Sequence, residues 1–85
     1  MFVIVVYDVD VKRVSRVHRF LRTYLHWRQN SVFEGNVTRA QLYEIKRTLQ
    51  GLVEGDDSVL IYEFPRDNFT LHVIGTDKSP VEEVI

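Results

Sequence analysis

The sequence predicts an α+β sandwich: an antiparallel sheet with two helices on one face, followed by one further strand. Three observations carry this. The chain opens on a short apolar run, Phe2 to Val6, rich in valine and isoleucine. Two stretches, Val11 to Leu25 and one opening at Thr38, repeat apolar residues at three and four residue steps. Between and after them lie short β-prone segments bounded by Gly, Asn and Pro. A run as short as the first reads as a strand buried on both faces, the central strand of a small sheet, whereas the three-and-four spacing reads as helix. Eighty-five residues hold one core. A chain of this size buries only about two-thirds of the surface its unfolded form exposes, so association as a homodimer is expected.

The first strand stops at Tyr7-Asp8-Val9-Asp10, and a basic segment begins at Lys12. A carboxylate at the carboxyl end of a buried strand is backed by a rigid scaffold, a suitable place to hold a hard cation such as magnesium. Asp8 or Asp10 equally suits the cap of the following helix. In Val11 to Leu25, the residues Val14, Val17, Leu21 and Tyr24 share one face, which covers the sheet. Lys12, Arg16 and Arg19 fall opposite, with Arg22 beside them and Arg13 at the margin nearest the strand end. His18 reads as an ordinary boundary histidine.

His26 to Val37 reads as two short strands with the break near Glu34 and Gly35. Thr38-Arg39-Ala40-Gln41 fits a capping box, in which the threonine oxygen and the Gln41 amide satisfy free backbone groups. Leu42, Ile45, Leu49 and Leu52 form the buried stripe of this second helix, and Gly55 is its stop. Asp56-Asp57 reads as a polar turn rather than a metal cluster. Ser58 to Phe64 is a strand, Pro65 to Asn68 a turn, and Phe69 to Ile74 the extra strand. Residues 1–78 then make a single domain. The tail, 79–85, ends in Val81, Val84 and Ile85, apolar enough to pair with a partner's sheet edge. The first six elements match the ferredoxin-like βαββαβ arrangement, which serves many functions and selects none.

Composition narrows the classes. There is no cysteine, which removes disulfides, thiolate nucleophiles and cysteine zinc sites and suits an intracellular protein. No basic leader precedes the first strand and no run reaches membrane-spanning length, so a soluble, cytoplasmic protein without membrane contact is expected. The net charge of −1 conceals an asymmetry. Residues 1–47 hold nine Lys or Arg against four Asp or Glu, and residues 48–85 hold two against eight. A row of guanidinium groups on one helix suits phosphate, because each can donate paired hydrogen bonds to its oxygens.

The chain also resembles the CRISPR-associated protein two family, the small subunit of the CRISPR adaptation machinery. The resemblance rests on the first strand ending in Tyr7-Asp8-Val9 and on Arg13 and Arg16-Val17 in the basic helix. It continues through Gln29, Ser31-Val32-Phe33-Glu34-Gly35, Val37-Thr38 and Asp57-Ser58-Val59-Leu60-Ile61-Tyr62. It covers roughly residues 2 to 64, and the QxSVFEG segment is its most specific part. Leu25-His26 departs from the pattern, which has a glycine ending the first helix.

The resemblance implies a ferredoxin-like homodimer in which two copies of Asp8 face each other and share one divalent ion, usually Mg2+. It implies an endonuclease acting on single-stranded RNA or double-stranded DNA, and a carboxyl-terminal strand packed on the partner protomer. It also implies a partnership with the CRISPR-associated integrase, protein one, in spacer acquisition. Metal-assisted phosphodiester hydrolysis needs a carboxylate for the ion and cations for the phosphate. Asp8 is the candidate for the first, and Arg13, Arg16 and Arg28 for the second. One carboxylate per chain is thin for a nuclease. A non-catalytic DNA-binding adaptor that bridges integrase dimers is therefore the alternative expectation.

Overall fold

A computed structural model describes residues 1–66 and 68–79. The elements are β1 (Phe2–Asp8), α1 (Val11–Leu21), β2 (His26–Gln29), β3 (Val32–Asn36), α2 (Arg39–Leu52) and β4 (Ser58–Phe64). The strands form one antiparallel sheet in the order β2-β3-β1-β4. This is the expected ferredoxin-like α+β sandwich. No helix among the described residues is long and apolar enough to cross a membrane.

Strand alternation assigns the faces. Val3, Val5 and Tyr7 of β1 point toward the helices with Phe33 of β3, and they pack on Val17, Leu21, Ile45 and Leu49. On the other face lie Ile4, Val6 and Asp8. Their register partners include Leu60 and Tyr62 on β4 and Val32 on β3. β1 is therefore central in the sheet, but the expectation that it is buried on both faces is corrected: beyond Phe2 the second face is only partly covered, with Ile4 and Val6 half-buried and Asp8 exposed. Leu60 and Tyr62 are 50% and 52% exposed, so the chain carries an open apolar sheet face.

Further local expectations are corrected. First, α1 ends at Leu21, because the N–H groups of Thr23 and Tyr24 turn back to the carbonyls of Phe20 and Leu21 at 3.0 and 3.1 Å. This tightened last turn needs no glycine, and it frees Leu25 to enter the core. Second, the β2–β3 reversal is at Asn30, whose φ of 44° lies in the left-handed region that asparagine tolerates. Gly35 instead lies inside β3, and a Cβ there would be 3.1 Å from Leu25 Cδ2, so the glycine permits that close approach. Third, Arg13 is not at the margin of α1: with Val17 and Leu21 it makes the helix's buried stripe, each four residues from the next.

The Thr38 box forms as expected: Gln41 N–H donates to Thr38 Oγ1 at 3.1 Å, and Thr38 N–H donates to Gln41 Oε1 at 2.9 Å. Within the chain, 69–74 forms no strand ladder. Phe69 instead anchors this segment against Phe2, ring centroids 4.6 Å apart. The pairing expected of the carboxyl-terminal tail falls mainly on residues 80–85, which lie outside the described residues.

Candidate functional site

The site begins where β1 runs out of sheet. Asp8 is the last β1 residue, paired with Ser58, and its side chain is exposed on the rim of the open face. Among the described residues no hydrogen bond or ion pair engages its carboxylate. Asp10, two residues on, is the N-cap of α1: its carboxylate accepts from Lys12 N–H at 3.0 Å. Of the two roles open to this pair, Asp10 takes the cap.

Beneath them lies a buried ion pair. Arg13 Nε donates to Asp57 Oδ2 at 2.5 Å, with the two side chains 11% and 4% exposed. Asp57 also accepts two backbone N–H groups, from Asp10 at 2.8 Å and from Glu54 at 3.1 Å. One carboxylate thus joins the β1–α1 corner to the α2–β4 turn, where Gly55 adopts a φ of 62°. A cleft of about 380 Å³ opens between them, lined by Asp8, Asp10, Gly55 and Asp56.

The sequence marks Asp57 as a turn residue and as part of the family-like segment before β4, but not as the partner of Arg13. The signal that reveals it is the 13, 17, 21 spacing, which puts an arginine into a buried stripe and so demands a buried anion. The Arg13 hydrogen bond holds the Asp57 carboxyl far below the usual carboxylate range, against the opposing cost of burial, and the two backbone donors reinforce it. The same hydrogen bond pushes Arg13 above its ordinary value.

The depressed carboxyl makes stability depend on pH. Its folded pKa lies below its unfolded one, so this stabilisation is complete above the ordinary carboxylate range, about pH 4, and is lost as pH falls through the folded value. Asp57→Asn is expected to melt well below the wild type at neutral pH, with the gap narrowing under acid. A melting-temperature difference that stays constant from neutral to strongly acid pH would contradict the pairing.

The other predicted cations are placed differently from one another. Arg28, near the β2 bulge, has its Nη2 2.5 Å from Asp77 Oδ1 and its Nη1 3.8 Å from Glu34. It fastens the segment after β4 to the far edge of the sheet. Arg16 is exposed on α1 with Lys12 and Arg19, and no carboxylate pairs with any of the three among the described residues. Among the described residues Asp8 and Arg16 are therefore unengaged, while Arg13 and Arg28 are engaged by carboxylates.

The donor set suits magnesium in one particular way. This ion keeps most of its waters and takes one or two carboxylates. Asp8, exposed at the rim of the open face and unengaged among the described residues, is a carboxylate of the kind such a site uses.

Comparison with known proteins agrees with this architecture. The family model for CRISPR associated protein Cas2 matches residues 1–70. The chain is 52% identical over 86 aligned residues to a Thermococcus kodakarensis protein named CRISPR-associated endoribonuclease Cas2, with both chains fully covered. It is 48% identical, again over the whole of both, to a Pyrococcus furiosus protein of the same name. Among solved structures, one described as a crystal structure of Cas2 superposes with a TM-score of 0.90 at 66% identity, covering 100% of this chain and 98% of that one. Streptococcus pyogenes Cas2 superposes with a TM-score of 0.78 at 32% identity, covering 88% of this chain and 100% of that one.

Proposed function

The chain belongs to the CRISPR-associated Cas2 family, and from that premise we propose that it is a magnesium-dependent endonuclease of CRISPR adaptation, acting as a homodimer. Its substrates are single-stranded RNA or double-stranded DNA, and Asp8 is its metal ligand and catalytic carboxylate. The observation that carries the reading is Asp8 itself, an exposed, unengaged carboxylate on the rim of an apolar sheet face. Two copies joined through that face would bring two such carboxylates to one ion. When bound, the ion supplies charge neutralisation at the phosphodiester and an acidified water.

The chain's own residues do the rest. Asp10 caps α1 and stays out of coordination. Lys12, Arg16 and Arg19 form the phosphate-binding row, with Arg16 the closest of the predicted contacts to a free donor. Arg13 and Arg28 would reach phosphate only by giving up Asp57 and Asp77. Replacing both Arg16 and Arg19 by Gln is expected to weaken binding of a duplex uniformly across sequences. It should also lower the slope of log affinity against log salt by about two, roughly 0.9 for each phosphate that is no longer neutralised. An unchanged salt slope would remove α1 from the interface.

A second reading is favoured by the same geometry. A strand-end carboxylate beside a basic row, both unengaged among the described residues, also describes an adaptor that binds DNA and bridges dimers of the CRISPR-associated integrase, protein one, without cleaving. Spacer integration by the reconstituted integrase separates the two. Integration that survives Asp8→Ala assigns the chain a scaffolding role there, whereas loss with folding and association intact puts the Asp8 site inside the reaction.

A further inference from the structure

We infer that Arg13 and Asp57 are positioning residues for Asp8, forming a buried clamp that presents its carboxylate to a divalent cation. The inference rests on the metal reading above and extends it to residues that touch neither ion nor substrate.

Asp8 has one covalent constraint on each side. On the amino side β1 is held by strands on both flanks. On the carboxyl side the chain leaves the sheet through Val9 and Asp10, and there the ladder gives it no support. What holds this corner is the Asp10 N–H bond to Asp57 at 2.8 Å. Asp57 is in turn fixed by Arg13 Nε at 2.5 Å and by Glu54 N–H at 3.1 Å. Arg13 closes the loop, because its own backbone N–H donates to Asp10 carbonyl oxygen at 2.8 Å. The corner is thus held by the Asp57 side chain, which the Arg13 side chain fixes in turn, and by the Arg13 backbone; the two side chains are each at most 11% exposed.

A carboxylate that serves an ion with little help from other ligands depends on such support. Outer partners that orient a ligand are commonly worth tenfold or more in metal affinity. The pairing also explains the expense of a buried guanidinium in α1. A buried pair of this kind contributes little net stability compared with an apolar substitute of similar volume, whereas an apolar residue could not hold the Asp10 N–H.

The test uses charge to separate positioning from electrostatics. Arg13→Gln removes a positive charge near the site, and Asp57→Asn removes a negative one. Field effects alone predict tighter cation binding in the first and weaker binding in the second. The clamp predicts weaker binding in both. Mn2+ binding to the full chain is measured by electron paramagnetic resonance, at a temperature where circular dichroism shows every variant folded. Arg13→Lys keeps the charge and loses the Nε contact, so it stands in should Arg13→Gln fail to fold. The expected result is a dissociation constant raised roughly tenfold in Arg13→Gln, Arg13→Lys and Asp57→Asn alike.

Wild-type affinity or better in either Arg13 variant, with Asp8-dependent binding intact, would overturn the clamp and leave the metal reading standing. Wild-type binding no tighter than that of Asp8→Ala would overturn both, since there would be no ligand to position.

Discussion

Asp8→Ala is expected to abolish magnesium-dependent cleavage of single-stranded RNA, lowering the rate by more than about a hundredfold, with folding and association unchanged. The magnitude follows from losing the charge stabilisation and the acidified water that a bound cation provides, several kcal/mol of barrier. The selectivity follows from position. Asp8 ends its strand, is exposed, and has no side-chain partner among the described residues, so its truncation opens no cavity and strands no buried group. Asp10→Ala is the informative contrast. It removes the α1 cap, which is worth about 1 kcal/mol of stability, and leaves the ligand in place. Reduced melting temperature with retained cleavage in Asp10→Ala, against the reverse in Asp8→Ala, divides the two carboxylates as the geometry does. Equal loss of cleavage in both would return Asp10 to the metal site.

Leu60→Glu is expected to convert the proposed homodimer to monomer without unfolding the protomer. Ile4, Val6, Val32, Leu60 and Tyr62 lie together on the sheet face opposite the helices, and Leu60 is 50% exposed in the protomer. A carboxylate placed there remains hydrated in the monomer. In a face-to-face dimer it would be buried without a partner, which costs about 3–5 kcal/mol and raises the dissociation constant by roughly two to four orders of magnitude. Sedimentation velocity at micromolar concentration reads this directly. Cleavage should fall with dimer content, because the two Asp8 carboxylates are no longer shared. A Leu60→Glu protein that remains fully dimeric would place the interface elsewhere.

Much of the fold was legible because its signals are local. The apolar run at Phe2, the 42, 45, 49 spacing and the Thr38 capping box each follow from backbone geometry and nearby side chains; the strand, the helix and its cap appear as expected, although β1 is not covered on both faces and Leu52 is only partly buried. The misread features depend on residues distant in sequence. Whether α1 ends at Leu21 or Leu25 turns on Leu25 packing against Gly35 of the next hairpin. The reversal at Asn30 rather than Gly35 is set by the pairing of β3 with β1 through Gly35 and Asn36. Arg13 looked like part of the basic row because its buried partner lies 44 residues away, and Arg28 likewise because Asp77 lies 49 away. Asp8 was legible for the opposite reason, since the end of a central strand is identifiable from the run before it. Asp8 can be read in one chain, whereas the proposed shared site requires a second.

That dependence is put to the test by the stoichiometry of Mn2+ bound to the dimer, measured with wild-type and Asp8→Ala protein at equal concentration. A site shared between two protomers holds one Asp8-dependent ion for every two chains, and none in the variant. One Asp8-dependent ion per chain, or binding that survives Asp8→Ala undiminished, would rule the shared site out.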